Sequence, residues 1–147
     1  MFDKRYALFV LRDKKERILL QKRDNRAPKN PGMWGFFGGR VEDGESPEQA
    51  LTREALQELS LENVKFKFFG RYKIKESDGL NEKFLFVAPL DVPLDRLKKN
   101  QKEGSDLGMF SFDDLKTMKI PEPDQILHRE LFGEKDKSGM LYVRKKK

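Results

Sequence analysis

The chain has 147 residues, a formal charge of +6, one histidine and no cysteine. That length builds one domain, able to bury roughly 70% of its unfolded surface, and the missing cysteines exclude disulfides, thiolate nucleophiles and cysteine-ligated zinc. Six basic and two acidic residues give the stretch 134–147 a charge of +4, so the body carries only +2 and charge alone makes no case for a nucleic-acid binder.

At the N-terminus the apolar run is short, Tyr6–Leu11, and flanked by charge, which is not a signal peptide. No stretch approaches the ~18 apolar residues of a membrane span. The expectation is a soluble, cytoplasmic protein with no membrane partner. Tyr6–Arg12 predicts a strand, Asp13–Glu16 a turn, and Arg17–Arg23 the returning strand of a hairpin. Asn, Pro and Gly make Asp24–Gly35 a loop. Ser46-Pro47-Glu48-Gln49 predicts a helix start: Ser46 caps, Pro47 suits the first position and Gln49 completes a capping box. The helix is expected over Pro47–Leu59.

Val64–Lys75 alternates apolar and basic residues like a half-exposed strand, and Lys83–Leu90 is more continuously apolar, like a buried one. Gly108–Phe112 reads as a short strand, and Ser111 is an alternative cap for a small helix, Phe112–Met118. Pro121 and Pro123 break the chain before a last helix, Asp124–Phe132, ended by Gly133. Interleaved strands and helices give an α+β domain over residues 1–133, with helices packed on a mixed sheet. Residues 134–147 read as a basic C-terminal tail, a solubilising end rather than a binding element.

Within this basic chain, Gly38–Leu61 holds six carboxylates: Glu42, Asp43, Glu45, Glu48, Glu54 and Glu58. On a helical wheel with Ala50 at zero, Glu54 falls near about 40° and Glu58 near about 80°, beside Leu51 at about 100°. A solvated face would lie opposite the apolar stripe; these two carboxylates abut it. They repel each other, and Arg53, at about 300°, points away from Glu58. A divalent cation is the better partner, and oxygen ligands without thiols favour Mg²⁺, Mn²⁺ or Ca²⁺. An unusual surface helix is the competing reading. The Gly38-Gly39 pair permits close backbone approach or positive φ, although a plain turn or bulge is the favoured reading of so weak a signal.

Gly39, Glu45, Arg53-Glu54, Glu58 and Leu61 stand at the spacing G-x5-E-x7-R-E-U-x-E-E-x-G-U, and this 23-residue stretch resembles the Nudix box. The likeness extends to the flanking "LLQKR", to Trp34 and to "EG…MFSFDDL". Gln57 stands where the pattern has the first Glu of its pair, Ser60 replaces the closing glycine, and Ala55 a bulky aliphatic. The resemblance implies an α/β/α sandwich with the box as loop–helix–loop. It also implies hydrolysis of nucleoside diphosphate derivatives with Mg²⁺ or Mn²⁺. By position, Glu54 and Glu58 would be the principal metal ligands, Gly39 a carbonyl contact, Gln57 an uncharged ligand and Arg53 the group that orients the carboxylates. Glu45 and Glu103 are extra candidates.

Metals that neutralise phosphate leave basic side chains to steer it, and Arg23, Arg26 and Lys29 are candidates for that, against the plain reading of each as a solvated surface charge. Trp34, with Phe36 or Phe37, could stack on a base; Trp34 is the leading candidate, packing is its equal alternative, and most phenylalanines are expected in the core. The phenylalanines of Lys65–Phe69 resemble an RNA-binding strand but better suit sheet packing. For the general base, Glu54, Glu82 and Glu103 are candidates ahead of His128, which is expected on an exposed helix face.

The reading is thus a nucleotide pyrophosphohydrolase, monomer or homodimer. Its expected substrates are nucleoside triphosphates, oxidised ones included, released as monophosphate plus pyrophosphate. Nucleotide sugars, dinucleoside polyphosphates and capped RNA are alternatives. A Nudix-fold module that binds nucleotide or RNA with weak catalysis is the rival from another class.

Overall fold

The computed structural model describes residues 4–101, 104 and 106–133, and the backbone of 141–145. In chain order the elements are β1 (Lys4–Arg12), β2 (Ile18–Lys22), β3 (Trp34–Gly35), β4 (Phe37–Arg40), α1 (Pro47–Leu59), β5 (Lys67–Glu76) and β6 (Gly79–Pro89). There follow α2 (Leu94–Asn100), β7 (Asp106–Phe110), α3 (Phe112–Leu115), α4 (Glu122–Leu131) and β8 (Leu141–Lys145).

The two-residue period of the strands sets the layers. In β1, Ala7, Phe9 and Leu11 enter one core and Val10, with Leu8 at its edge, the other. In β6, Phe84, Phe86 and Ala88 divide in the same way from Leu85. A sheet apolar on both faces must be covered on both. α1 covers the first face with Ala50, Leu51, Ala55 and Leu59, joined by Leu97 of α2. α4 covers the second with Ile126, Leu127 and Leu131, beside Leu115 of α3. This is the α/β/α sandwich expected.

The sheet runs β3-β2-β1-β6-β5-β8, with β4 on β1 and β7 on β2. β1 and β6 are parallel and the other pairs antiparallel, so the sheet is mixed. Along one edge, β1 changes partner from β2, at Arg12↔Ile18, to β4, from Tyr6↔Arg40 to Phe9↔Phe37.

α1 spans the expected residues. The Ser46 hydroxyl accepts the Gln49 N–H at 3.1 Å, and the Gln49 side chain accepts the Ser46 N–H at 2.8 Å. α2 was not expected: it is a seven-residue helix with one buried residue and no side-chain cap, too weak a pattern to see in sequence. Leu141–Lys145, assigned in sequence to the basic tail, pairs with β5 as β8. Phe66 packs on Phe9 at 5.2 Å and Phe68 on Phe86 at 5.7 Å, a sheet-packing role. No described helix is long and apolar enough to cross a membrane.

Candidate active site

The two carboxylates of α1 meet the sheet at the glycine pair. Glu58 is buried, and its Oε2 accepts the Gly38 N–H at 2.9 Å. Glu54 lies against Gly39, where a Cβ would come 2.7 Å from its carboxyl carbon. The glycine is therefore the space that Glu54 occupies.

Arg53 is the cation beside them. Its Nη1 reaches Glu54 Oε1 at 2.8 Å, while Nε and Nη2 fork onto Glu45 at 2.8 and 3.0 Å. Nη2 also donates to the Arg40 carbonyl at 3.0 Å, tying α1 to β4. The wheel directed Arg53 away from Glu58, yet its long side chain turns back to Glu54. The Arg53 hydrogen bonds, with the Glu42 N–H, hold the Glu45 carboxyl down to about 2. Glu45 is thus an ionised strut for Arg53.

These groups open onto a cleft of about 360 Å³ at the place where β1 changes partner. Glu54, Gln57, Glu58, Gly38 and Gly39 line one end. Tyr6 and Leu8 of β1, Gln21 of β2, Phe36, Lys83 of β6 and Asp124 of α4 also line the cleft, and β1 lies between β4 and β6 in the sheet. Arg23 and Lys29 line the cleft too, with Arg23 fixed by donating to the Lys29 carbonyl at 2.7 Å. Lys29 Nζ sits 5.7 Å from the centre of the Tyr6 ring.

Two expected substrate residues lie elsewhere. Arg26 is exposed and does not line the cleft. Trp34 packs edge-on against Phe110 at 4.9 Å, its backbone paired with Lys22, so sheet pairing turns it away from the cleft. Of the two phenylalanines, Phe36 lines the cleft and Phe37 stacks in the core on Phe9. Glu82, a candidate base, alternates to the face opposite Lys83 and pairs with Arg5 at 3.1 Å and Arg71 at 3.4 Å. Glu103 lies outside the described residues.

His128 is not on an exposed face. It is 1% exposed and stacked on the far side of Phe36, with ring centres 4.5 Å apart. Burial, aided by Arg129, pushes its pKa down to about 3. Its ring nitrogens have no hydrogen-bond partner among the described residues, so it serves as a neutral aromatic support. The folded pKa lies below the ordinary 6.5, so the unfolded chain takes the proton first. His128 therefore stabilises the fold fully above pH 6.5 and loses that contribution as pH falls toward 3. The expected slope approaches about 1.4 kcal/mol per pH unit. Urea melts of wild type and His128→Phe between pH 7 and 4.5 check this: the variant should lose less stability, and parallel curves would refute the assignment.

Sequence reasoning missed Tyr6, Gln21, Lys83 and Asp124. Asp124, in the first turn of α4, reaches over Gly35, whose Cβ position lies 3.4 Å from Oδ2. Burial pushes its carboxyl pKa up, against the opposing pull of the Lys83 cation. No spacing rule links Tyr6 with Lys83; the parallel register places them side by side.

The donors suit a hard divalent cation. Among the described residues no three His, Cys, Asp or Glu side chains already converge on one point. Mg²⁺ is commonly held by one or two carboxylates completed by substrate phosphates and water, and Glu54 and Glu58 supply two oxygen donors on one wall of the cleft.

A NUDIX domain model matches residues 2–131. Over 65 residues, 42% of this chain and 57% of the relative, the chain is 37% identical to an 8-oxo-dGTP diphosphatase of Proteus vulgaris. Over 86 residues, 52% of this chain and 53% of the relative, it is 36% identical to an oxidized purine nucleoside triphosphate hydrolase of Danio rerio. Over 87 residues, 59% of both, it is 45% identical to a CTP pyrophosphohydrolase of Escherichia coli K12. The chain thus spans little more than half the length of these relatives. A mutT/nudix family protein from Listeria innocua has the same fold, with a TM-score of 0.73 and 24% identity over 90% of this chain and 94% of the other.

Proposed function

The chain belongs to the NUDIX domain family, and on that premise we propose that it hydrolyses nucleoside triphosphates, oxidised ones included, to a monophosphate and pyrophosphate with Mg²⁺ or Mn²⁺. One observation carries the reading: a single cleft joins the Glu54–Glu58 wall, through Tyr6, Leu8 and Phe36, to the polar pair Lys83 and Asp124. The first end has the chemistry for a metal-bound polyphosphate, and the second for a base. The names of the three relatives, all acting on nucleoside triphosphates, support the same class.

Glu54 and Glu58 would hold the ion, with Gln57 and the Gly39 carbonyl as uncharged contacts. When bound, such an ion neutralises phosphate oxygens and acidifies water. Arg53 fixes the rotamer of Glu54, and Glu45 fixes Arg53. The Gly38 N–H fixes Glu58. Arg23 and Lys29 supply the positive rim that offsets phosphate charge remote from the ion. Phe36, braced from behind by His128, is the planar wall for a base.

A panel of ordinary and oxidised nucleoside triphosphates, nucleotide sugars and dinucleoside polyphosphates, incubated with Mg²⁺ and resolved by chromatography, tests the reading. The expected result is monophosphate and pyrophosphate in equal amounts from a triphosphate, abolished by EDTA. Binding across the panel without any product would defeat it.

A further inference from the structure

Lys83 is a charge in this cleft that pyrophosphate hydrolysis leaves unused. It stands within β6 and is 6% exposed, a setting where an unpaired lysine is costly. Glu76 pairs with it at 3.0 Å, its side chain as enclosed as that of Lys83. The Asn81 amide donates to Glu76 at 2.8 Å and to Asp78 at 3.0 Å, and Asp78 pairs with Lys4 at 2.9 Å. A chain of groups running to the surface thus holds the ammonium from behind. In front, Lys83 lines the cleft, its Nζ 5.5 Å from the centre of the Tyr6 ring.

The register says which part of a ligand it meets. Tyr6 is flanked by Arg40 on β4 and by Lys83 on β6. β4 and β6 are therefore two strand spacings apart, about 10 Å. A phosphate held against Glu54 and Gly39, beside β4, is two strands away from the backbone of Lys83. What reaches Lys83 is the far end of the ligand, over a surface made by Tyr6, Leu8 and Phe36 that suits a flat ring.

We propose that Lys83, oriented by Glu76 and Asn81, reads a carbonyl oxygen of the nucleobase and so selects keto-bearing bases over adenine. An ammonium donates and never accepts, and a charge-assisted hydrogen bond to a carbonyl oxygen is the strong form of that contact. Guanine and the oxopyrimidines present such an oxygen; adenine presents ring nitrogens and an amino donor. Glu76 and Asn81 are positioning residues, since they act through Lys83.

This inference rests on the proposed function only in taking the ligand to be a nucleotide. Its test needs neither metal nor turnover: calorimetric titration with GMP, UMP and AMP in EDTA. Wild type should bind GMP and UMP more tightly than AMP. Lys83→Met should weaken GMP and UMP at least ten-fold and leave AMP within two-fold, and Lys83→Arg should restore most of the difference. Because Lys83→Met strands a buried Glu76, the double change with Glu76→Gln provides a folded counterpart with the same expected pattern. An equal loss for all three ligands would make Lys83 a phosphate contact and overturn the proposal, as would failure of wild type to bind any of them. A chain that hydrolyses nothing can still pass this test, and an active hydrolase can fail it.

Discussion

Gly38→Ala should cost about 3 kcal/mol or more and lower the melting temperature by roughly 10 °C. Gly38 has φ +126°, a conformation that L side chains rarely adopt. It also pairs directly with Leu8 in the β1–β4 ladder. A Cβ there would press on the Ala7 carbonyl oxygen and come 2.8 Å from Leu8 Cα. Both obstacles are backbone, so no side chain can swing aside, and β4 must part from β1. That parting would carry away the N–H that holds Glu58. Gly44→Ala is the control. Gly44 has φ +82° with nothing within 4 Å of its Cβ position, so it bears the conformational cost alone, about 1 kcal/mol. Thermal melts of the two variants separate the effects. If Gly38→Ala melts within a degree or two of wild type, the close approach is not real.

Glu58→Gln should lower kcat on the order of 10³-fold, the equivalent of about 4 kcal/mol of lost stabilisation for a charged metal contact. The amide oxygen of glutamine can still accept the Gly38 N–H, so packing at this buried site is kept. What is removed is one negative charge from a wall that holds Glu54, the neutral Gln57 and Glu58. The predicted signature is a large fall in kcat with a melting temperature within a few degrees of wild type. Steady-state kinetics beside thermal melts read both quantities. Turnover that survives the substitution intact would remove Glu58 from the chemistry and leave it a bracket between α1 and β4.

The two effects come from one junction seen from its two sides. Gly38 gives β4 its close seat on β1, and Glu58 uses the N–H that this seat presents. On the other wall, Lys83 and Asp124 arrive on elements that cover or neighbour β1 from the opposite direction. The cleft is therefore built where strand partners change, and its residues come from seven separate stretches of chain.

The sequence by itself determined what short-range physics writes. α1 was legible to its end residues because its cap, its proline and its apolar stripe all lie within a few residues of one another. The meeting of Glu54 and Glu58 beside that stripe followed from helical geometry, and the alternation in β1 and β6 announced a sheet covered on both faces. Only the tertiary structure decided the rest. Tyr6 lies beside Lys83 because β1 and β6 run parallel, Trp34 turns to Phe110 because β3 pairs with β2, and His128 is buried because α4 lays it on Phe36. Register and face depend on contacts between residues far apart in the chain, and no local period encodes which distant strand will supply them.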